Sequence, residues 1–325
     1  MKITGKPCLA LDALAAITFC NICRGDIPYV KEQIDRHFAG ITIPPANAYF
    51  DWLIEKYPLA DIETFTLAEL AARFPACIQN EALREPFQKG FAALEAMDFT
   101  SLWQTYCLPV LEAQCAQYSQ AFSGSAAQRL LADVQKLKPN ETFGDITVYI
   151  LYFTFSVSFH LTTTAYQTNY KVGAEINVPW TLRLFAHELI HRFSDENLRK
   201  VYREAAAQDK FLTKTRDVLF NKKGSPSDEE EFVCALDRFL AVKHGLYTAD
   251  EMYQNLFHHY ESCMPVAVLA FDALIKHDEL PENINEWLAG LFQNGAIRPG
   301  EIQTQVDVVL PGFSQAFMDH WYPHN

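Results

Sequence analysis

Apolar residues recur every three to four positions through most of the first 140 residues, the period of helices that bury one face. The pattern predicts helices over 8–23, 27–39, 46–56, 66–74, 80–97, 99–121 and 125–137. Turn chemistry separates them, at Arg24-Gly25-Asp26, Pro44-Pro45, Tyr57-Pro58, Phe74-Pro75 and Ser123-Gly124-Ser125. The texture then changes. Lys138-Pro139-Asn140-Glu141 is a break and Phe143-Gly144-Asp145 a turn. Ile146 to Phe153 is rich in β-branched and aromatic residues, and Val157 to Tyr166 has the same character. Lys171 to Val178 alternates, with Val172, Ala174, Ile176 and Val178 on one face and Lys171, Glu175 and Asn177 on the other. Three strands in succession are predicted. Pro179 ends the last, and Thr181 suits the N-cap of the next helix. Beyond residue 191 the helical period returns over 196–220, 227–244, 249–276 and 283–293, and the last 30 residues are less regular.

This order predicts an α+β chain, predominantly helical, with a small mixed or antiparallel sheet. It divides into a helical N-terminal region over 1–140 and a second domain over 141–325. No internal repeat or low-complexity tract interrupts it.

Composition narrows the function. The net charge of −13 argues against nucleic acid, which needs a basic face, and against an anionic membrane surface as partner. The N-terminal apolar stretch is interrupted by Asp12 and lacks a small-x-small cleavage site, so it reads as a buried amphipathic helix. No run reaches the ~18 apolar residues of a membrane span. The eight cysteines are scattered and read as core thiols, with Cys20-x-x-Cys23 a lone pair inside a helical pattern. These features describe a cytoplasmic protein.

One motif carries chemistry. His187-Glu188-Leu189-Ile190-His191 spells H-E-x-x-H in a helical stretch. Residues four apart share a helix face, so both imidazoles point the same way and offer two nitrogens to one Zn²⁺. Glu188, one residue on from His187, is placed to take a proton from a water activated by the metal.

A small sheet followed at once by a helix bearing this motif resembles the zincin metallopeptidases. The likeness extends past the motif. His187-Glu188-Leu189-Ile190-His191-Arg192-Phe193-Ser194-Asp195 looks like the active-site helix of thermolysin-like enzymes, with a Leu after the Glu and a hydroxyl-Asp pair after the second His. The metzincin pattern of a third His shortly after a Gly is absent, since residues 192–199 contain neither. The gluzincin branch places a Glu on a later helix. Glu231-Phe232-Val233-Cys234-Ala235 is similar to the segment that supplies this third ligand in several gluzincins, including anthrax lethal factor. Ala235 stands where those proteins often carry an acid, four positions on.

The residues alone leave the register open. Ser227 with Glu230 makes a capping box, and acids crowd helix N-termini for the dipole. On a helical wheel Glu229 lies closest to the apolar face of Phe232, Leu236, Phe239 and Leu240. The resemblance favours Glu231. Asp195 and Asp237 are candidates to orient the ligand histidines. Donors for an oxyanion are His244, Tyr247, Tyr253 and the cluster His258, His259 and Tyr260, while His160 reads as structural.

The expectation is a zincin-like enzyme. Zn²⁺ held by His187, His191 and Glu231 would hydrolyse peptide bonds with Glu188 as general base. The strand at 171–178 would bind a peptide or protein substrate in extended form. The rival expectations are a non-catalytic zincin-fold binding module and a hydrolase of a non-peptide amide.

Overall fold

The computed structural model describes residues 2–19, 22, 27–141, 143–153, 159–162, 165–168, 176–222 and 227–323. The chain is mostly helical with a small sheet, an α+β arrangement. It forms two compact units that interleave along the sequence. The first is Met1–Ser123 with Phe143–Val178, and the second is Gly124–Thr142 with Pro179–Asn325.

The first unit opens with strand β1 (Ile3–Lys6) and helix α1 (Leu9–Phe19). Helices α2 (Pro28–His37), α3 (Ala48–Ile54), α4 (Leu59–Ile62), α5 (Leu67–Arg73), α6 (Arg84–Ala96), α7 (Phe99–Leu102) and α8 (Leu108–Ser123) follow. Strands β2 (Ile146–Ile150), β3 (Phe159–Thr162) and β4 (Ala165–Thr168) complete a mixed sheet of order β1-β2-β4-β3. β1 runs parallel to β2 with Ile3 opposite Ile146, β2 runs parallel to β4, and β3 is antiparallel to β4.

Two expectations change here. The segment 157–166 is not one strand, because β3 and β4 fold back on each other. β1 has no counterpart in the sequence pattern, being four residues long and defined by a partner far along the chain. Its pairing takes the sheet into the first unit, so the division does not fall at residue 140. Gly5 is needed where β1 crosses α8, since a Cβ there would lie 2.9 Å from Cα of Cys115.

Helix α1 is buried from Ala10 to Phe19, including Asp12. It is therefore a core helix without a polar face. Asp12 is tolerated because its carboxylate accepts from Trp103 Nε1 at 2.6 Å and from the amides of Tyr152 at 2.8 Å and Phe153 at 3.1 Å.

The second unit holds α9 (Ser125–Leu137), α10 (Val178–Ile190), α11 (Glu196–Gln208), α12 (Lys210–Asn221), α13 (Glu230–Lys243), α14 (Ala249–His258), α15 (Pro265–His277), α16 (Ile284–Gln293), α17 (Ile302–Val309) and α18 (Phe313–Trp321). α13 is its centre, packed by α9, α14 and α15 and buried from Glu230 to Ala241.

Local chemistry explains the boundaries. Asp209 is extended, caps α12 through the amides of Phe211 and Leu212, and so splits the helix expected over 196–220. The helix expected over 249–276 breaks at Tyr260, Glu261 and Ser262, which are left-handed with φ of 46°, 50° and 60°. The irregular C-terminal stretch contains α17 and α18. α10 begins at Val178 with Pro179 in its first turn, so Thr181 lies inside the helix and is no cap. Residues 171–175 of the expected peptide-binding strand lie outside the described residues, as do Cys20 and Cys23. The described cysteines are buried and form no disulfide. No helix among the described residues is long and apolar enough to cross a membrane.

Candidate metal centre

α10 buries Leu182, Phe185, Ala186, Leu189 and Ile190 at helical spacing, which turns the remaining face, His187 and the adjoining His191, toward α13. The two rings meet edge to face with centroids 4.9 Å apart. His191 is the first residue past the helix, and its amide still bonds the carbonyl of His187 at 3.3 Å.

Glu230 stands opposite both rings. Its Oε1 is 3.6 Å from Nε2 of His187 and its Oε2 is 3.6 Å from Nε2 of His191. These three side chains bring their ligand atoms within 4.8 Å of one another and could hold a metal ion. Two nitrogens and one carboxylate make a donor set that suits Zn²⁺.

The back of each ring is held by a different acid. Nδ1 of His187 donates to Oδ2 of Asp237 at 3.0 Å, and Nδ1 of His191 donates to Oε1 of Glu229 at 3.3 Å. In the neutral rings this places the proton on Nδ1 and leaves Nε2 facing the centre, the arrangement that commonly supports metal-bound histidines. Asp237 is itself anchored by Arg183 at 3.0 Å and Arg238 at 2.8 Å. Burial would raise its pKa, but Arg238, Arg183 and His187 hold it well below the carboxylate range. Burial also works against a charge on His187, yet Asp237, Cys234 and Glu230 lift that ring well above its ordinary value.

Glu229 does two jobs. Arg192, with φ of 68°, takes the chain out of α10 in a left-handed turn that a non-glycine residue adopts at a cost. The Glu229 carboxylate accepts from the amide of Arg192 at 2.7 Å and from the amide and hydroxyl of Ser194, which holds that turn in place. Burial is outweighed by His191, Ser194 and the Arg192 amide, and the carboxyl falls to about 2. The capping box expected from Ser227 and Glu230 does not form. Ser227 Oγ accepts from the amide of Glu229, and Glu230 is the first residue of the helix.

Glu231, the expected third ligand, is corrected. Its Oε1 accepts from Tyr202 Oη at 2.7 Å, and its Oε2 accepts from the amides of Val266 at 2.6 Å and Ala267 at 3.1 Å. Successive helical residues point about 100° apart, so when Glu231 turns to α15 it is Glu230 that faces the histidines. Cys234, one turn on from Glu230, places Sγ 3.7 Å from its Oε1. The acid behind His187 is Asp237, two turns along from Glu230 rather than one.

Glu188 is half-buried beside the centre. Burial raises its pKa against the fields of His187 and His191. Asp195 does not orient a histidine. It caps α11 through the amide of Leu198 at 2.8 Å. Of the candidate donors, His244 bonds Asp133 at 3.0 Å, Tyr253 bonds Asp272 at 2.9 Å, and His258 packs edge-on against Phe257.

His259 and Tyr260 lie with ring centroids 4.3 Å apart, tilted by 31°, and come under the field of the centre. Burial and then Arg238 push His259 down to about 2, leaving a neutral ring. Burial, then Glu230, Cys234, Cys263 and Glu188, raise the Tyr260 phenol well above its ordinary value, so it keeps its proton. The side chain of His160 lies outside the described residues.

The sequence did not show the roles of Arg183, Arg238, Ser194 and Lys138. Arg183 had a signal: it lies four residues before His187 on the same face and shares Asp237 with it. Lys138 had none. It donates to the carbonyls of His191 at 3.1 Å and Leu189 at 3.5 Å, closing the end of α10. No family model, curated protein or solved structure matches the chain.

Proposed function

We propose that the chain is a zinc-dependent peptidase of zincin type. One observation carries this reading: Glu230 faces the Nε2 atoms of both motif histidines while Asp237 and Glu229 hold their Nδ1 atoms from behind. A site with three ligands and two orienting carboxylates fits Zn²⁺, which when bound supplies a Lewis acid that polarises a carbonyl and acidifies water. Glu188 accepts the proton of the attacking water and passes it to the leaving amine. Tyr260, kept protonated, and the neutral His259 can donate to the oxyanion that develops. The substrate is a peptide or protein. Buried thiols at Cys8, Cys77, Cys107, Cys115 and Cys234 support a cytoplasmic setting.

A second reading rests on Cys234. Its buried sulfur lies 3.7 Å from Oε1 of Glu230 but outside the three residues whose ligand atoms lie within 4.8 Å of one another, so it would have to move inward to add a fourth donor and close the site around a structural metal. Cobalt substitution separates the two, since a thiolate ligand adds a near-ultraviolet charge-transfer band and an open three-ligand site does not.

A peptide-library digest at neutral pH tests the activity. Cleavage should stop on chelation, return with zinc, and slow on the order of 10²–10⁴-fold in Glu188→Gln, which cannot take the proton. Zinc bound with no peptide cleaved would exclude the peptidase.

A further inference from the structure

We propose that Glu231 is a positioning residue for the metal centre: by docking the first turn of α13 onto Tyr202 and the N-terminus of α15, it sets the direction in which Glu230 points. The inference rests on the metal-centre reading of His187, His191 and Glu230.

Glu229, Glu230 and Glu231 are consecutive, yet each carboxylate meets a different element. Glu229 meets the turn after α10, Glu230 meets the motif histidines, and Glu231 meets α11 and α15. Three neighbours on a helix splay over roughly 200° of its circumference, so the outer two bracket the middle one. If the helix rotated or frayed, Glu230 would leave the centre first, because it is the first residue of α13 and has only the end of a helix behind it.

Helix ends fray unless tied down. On this end the ties are side chains, since Glu229 at the N-cap position makes no side-chain capping bond to its own helix. Glu231 supplies the tie on the α15 side. Its Oε2 accepts from the amides of Val266 and Ala267, two of the donors that the 13-residue helix α15 leaves without an intrahelical partner. Tyr202 on α11 takes the other oxygen. Glu231 is only 2% exposed, so these partners replace water and hold the side chain in one direction. A residue needed only to fill this place would not have to be bonded at both oxygens. An anchor that resists rotation does, because two separated attachment points fix an angle where one does not.

The test is metal affinity, read by competition of Zn²⁺ with a chromophoric chelator and by the visible spectrum of the Co²⁺ form, on the full chain. Folding is checked by circular dichroism. The parent must bind Zn²⁺ first, and a parent that binds none removes the metal-centre reading itself. Glu231→Gln keeps the shape but offers one accepting oxygen, so folded protein should bind Zn²⁺ about 10–100-fold more weakly with an altered Co²⁺ spectrum. Val306→Ala, a core truncation on α17, should lose stability with affinity unchanged. Folded Glu231→Gln that binds as tightly as the parent, like Val306→Ala, would overturn the positioning role. If Glu231→Gln does not fold, Tyr202→Phe decides. It removes one of the two attachments, and affinity should fall several-fold, whereas parental affinity and spectrum would overturn the role.

Discussion

Asp237 holds Nδ1 of His187 at 3.0 Å while sharing the same oxygen with Arg183. The acid is buried, carries two arginines, and stays ionised against its burial. Its effect on the centre is orientation of one ring. Asp237→Asn keeps size but puts an amide where the imidazole N–H must be accepted, and it leaves two buried guanidinium groups short of charge. Zinc affinity should drop about 10–100-fold by chelator competition. An unchanged affinity would mean that His187 is held by other contacts.

The three adjacent glutamates separate by substitution. Glu230→Gln should abolish tight zinc binding, as His187→Ala and His191→Ala should, because each removes one of three ligands. Glu229→Gln should weaken binding without abolishing it, since it loosens His191 and the Arg192 turn. Zinc retained at full stoichiometry by Glu230→Gln, measured by atomic absorption, would place the third ligand elsewhere.

Lys138 closes the C-terminal end of the motif helix. Its side chain is 8% exposed and donates to two terminal carbonyls that α10 cannot satisfy itself. Lys138→Met keeps the apolar stem and removes the donors, together with the half-exposed ion pair to Glu141 at 2.8 Å. It should cost about 1–2 kcal/mol of stability in urea titration. A loss of a few tenths would show that water serves these carbonyls as well.

Asp12 makes stability depend on pH. Burial pushes its carboxyl from 3.8 up to about 7, against the bonds from Trp103, Phe153 and Tyr152. The folded chain therefore keeps a proton that the unfolded chain releases near 3.8. That contribution is fully present below about 4 and is lost as pH rises through about 7. The stability of the parent minus that of Asp12→Asn should fall over this window by on the order of a few kcal/mol. Urea melts at stepped pH, followed by tryptophan fluorescence, check this, and a difference that widens with pH would refute it.

Much of the helix content was legible because it is local. The apolar period marks α9, α13 and α16 within a few residues, and the turn residues between segments fall between helices. The motif pair His187 and His191 was legible for the same reason, since four residues on a helix decide which face both rings share. The third ligand was not. The wheel pointed to Glu229 because it assumed one apolar face, whereas α13 is buried from Glu230 to Ala241 and has no solvent side from which to measure. The resemblance pointed to Glu231, one residue out of register.

The sequence by itself determined the segments whose partners are near in the chain: helices such as α9 and α13, and the two histidines of one turn. Tertiary structure decided everything that depends on a distant partner. β1 exists as a strand only because Ile146 to Tyr149 lie beside it. Glu230 faces the histidines only because Glu229 is taken by the turn at Arg192 and Glu231 by the first amides of α15. Three identical side chains in a row carry no local signal that tells them apart, and the direction each takes is fixed by which unsatisfied donors the packed helices bring within reach of it.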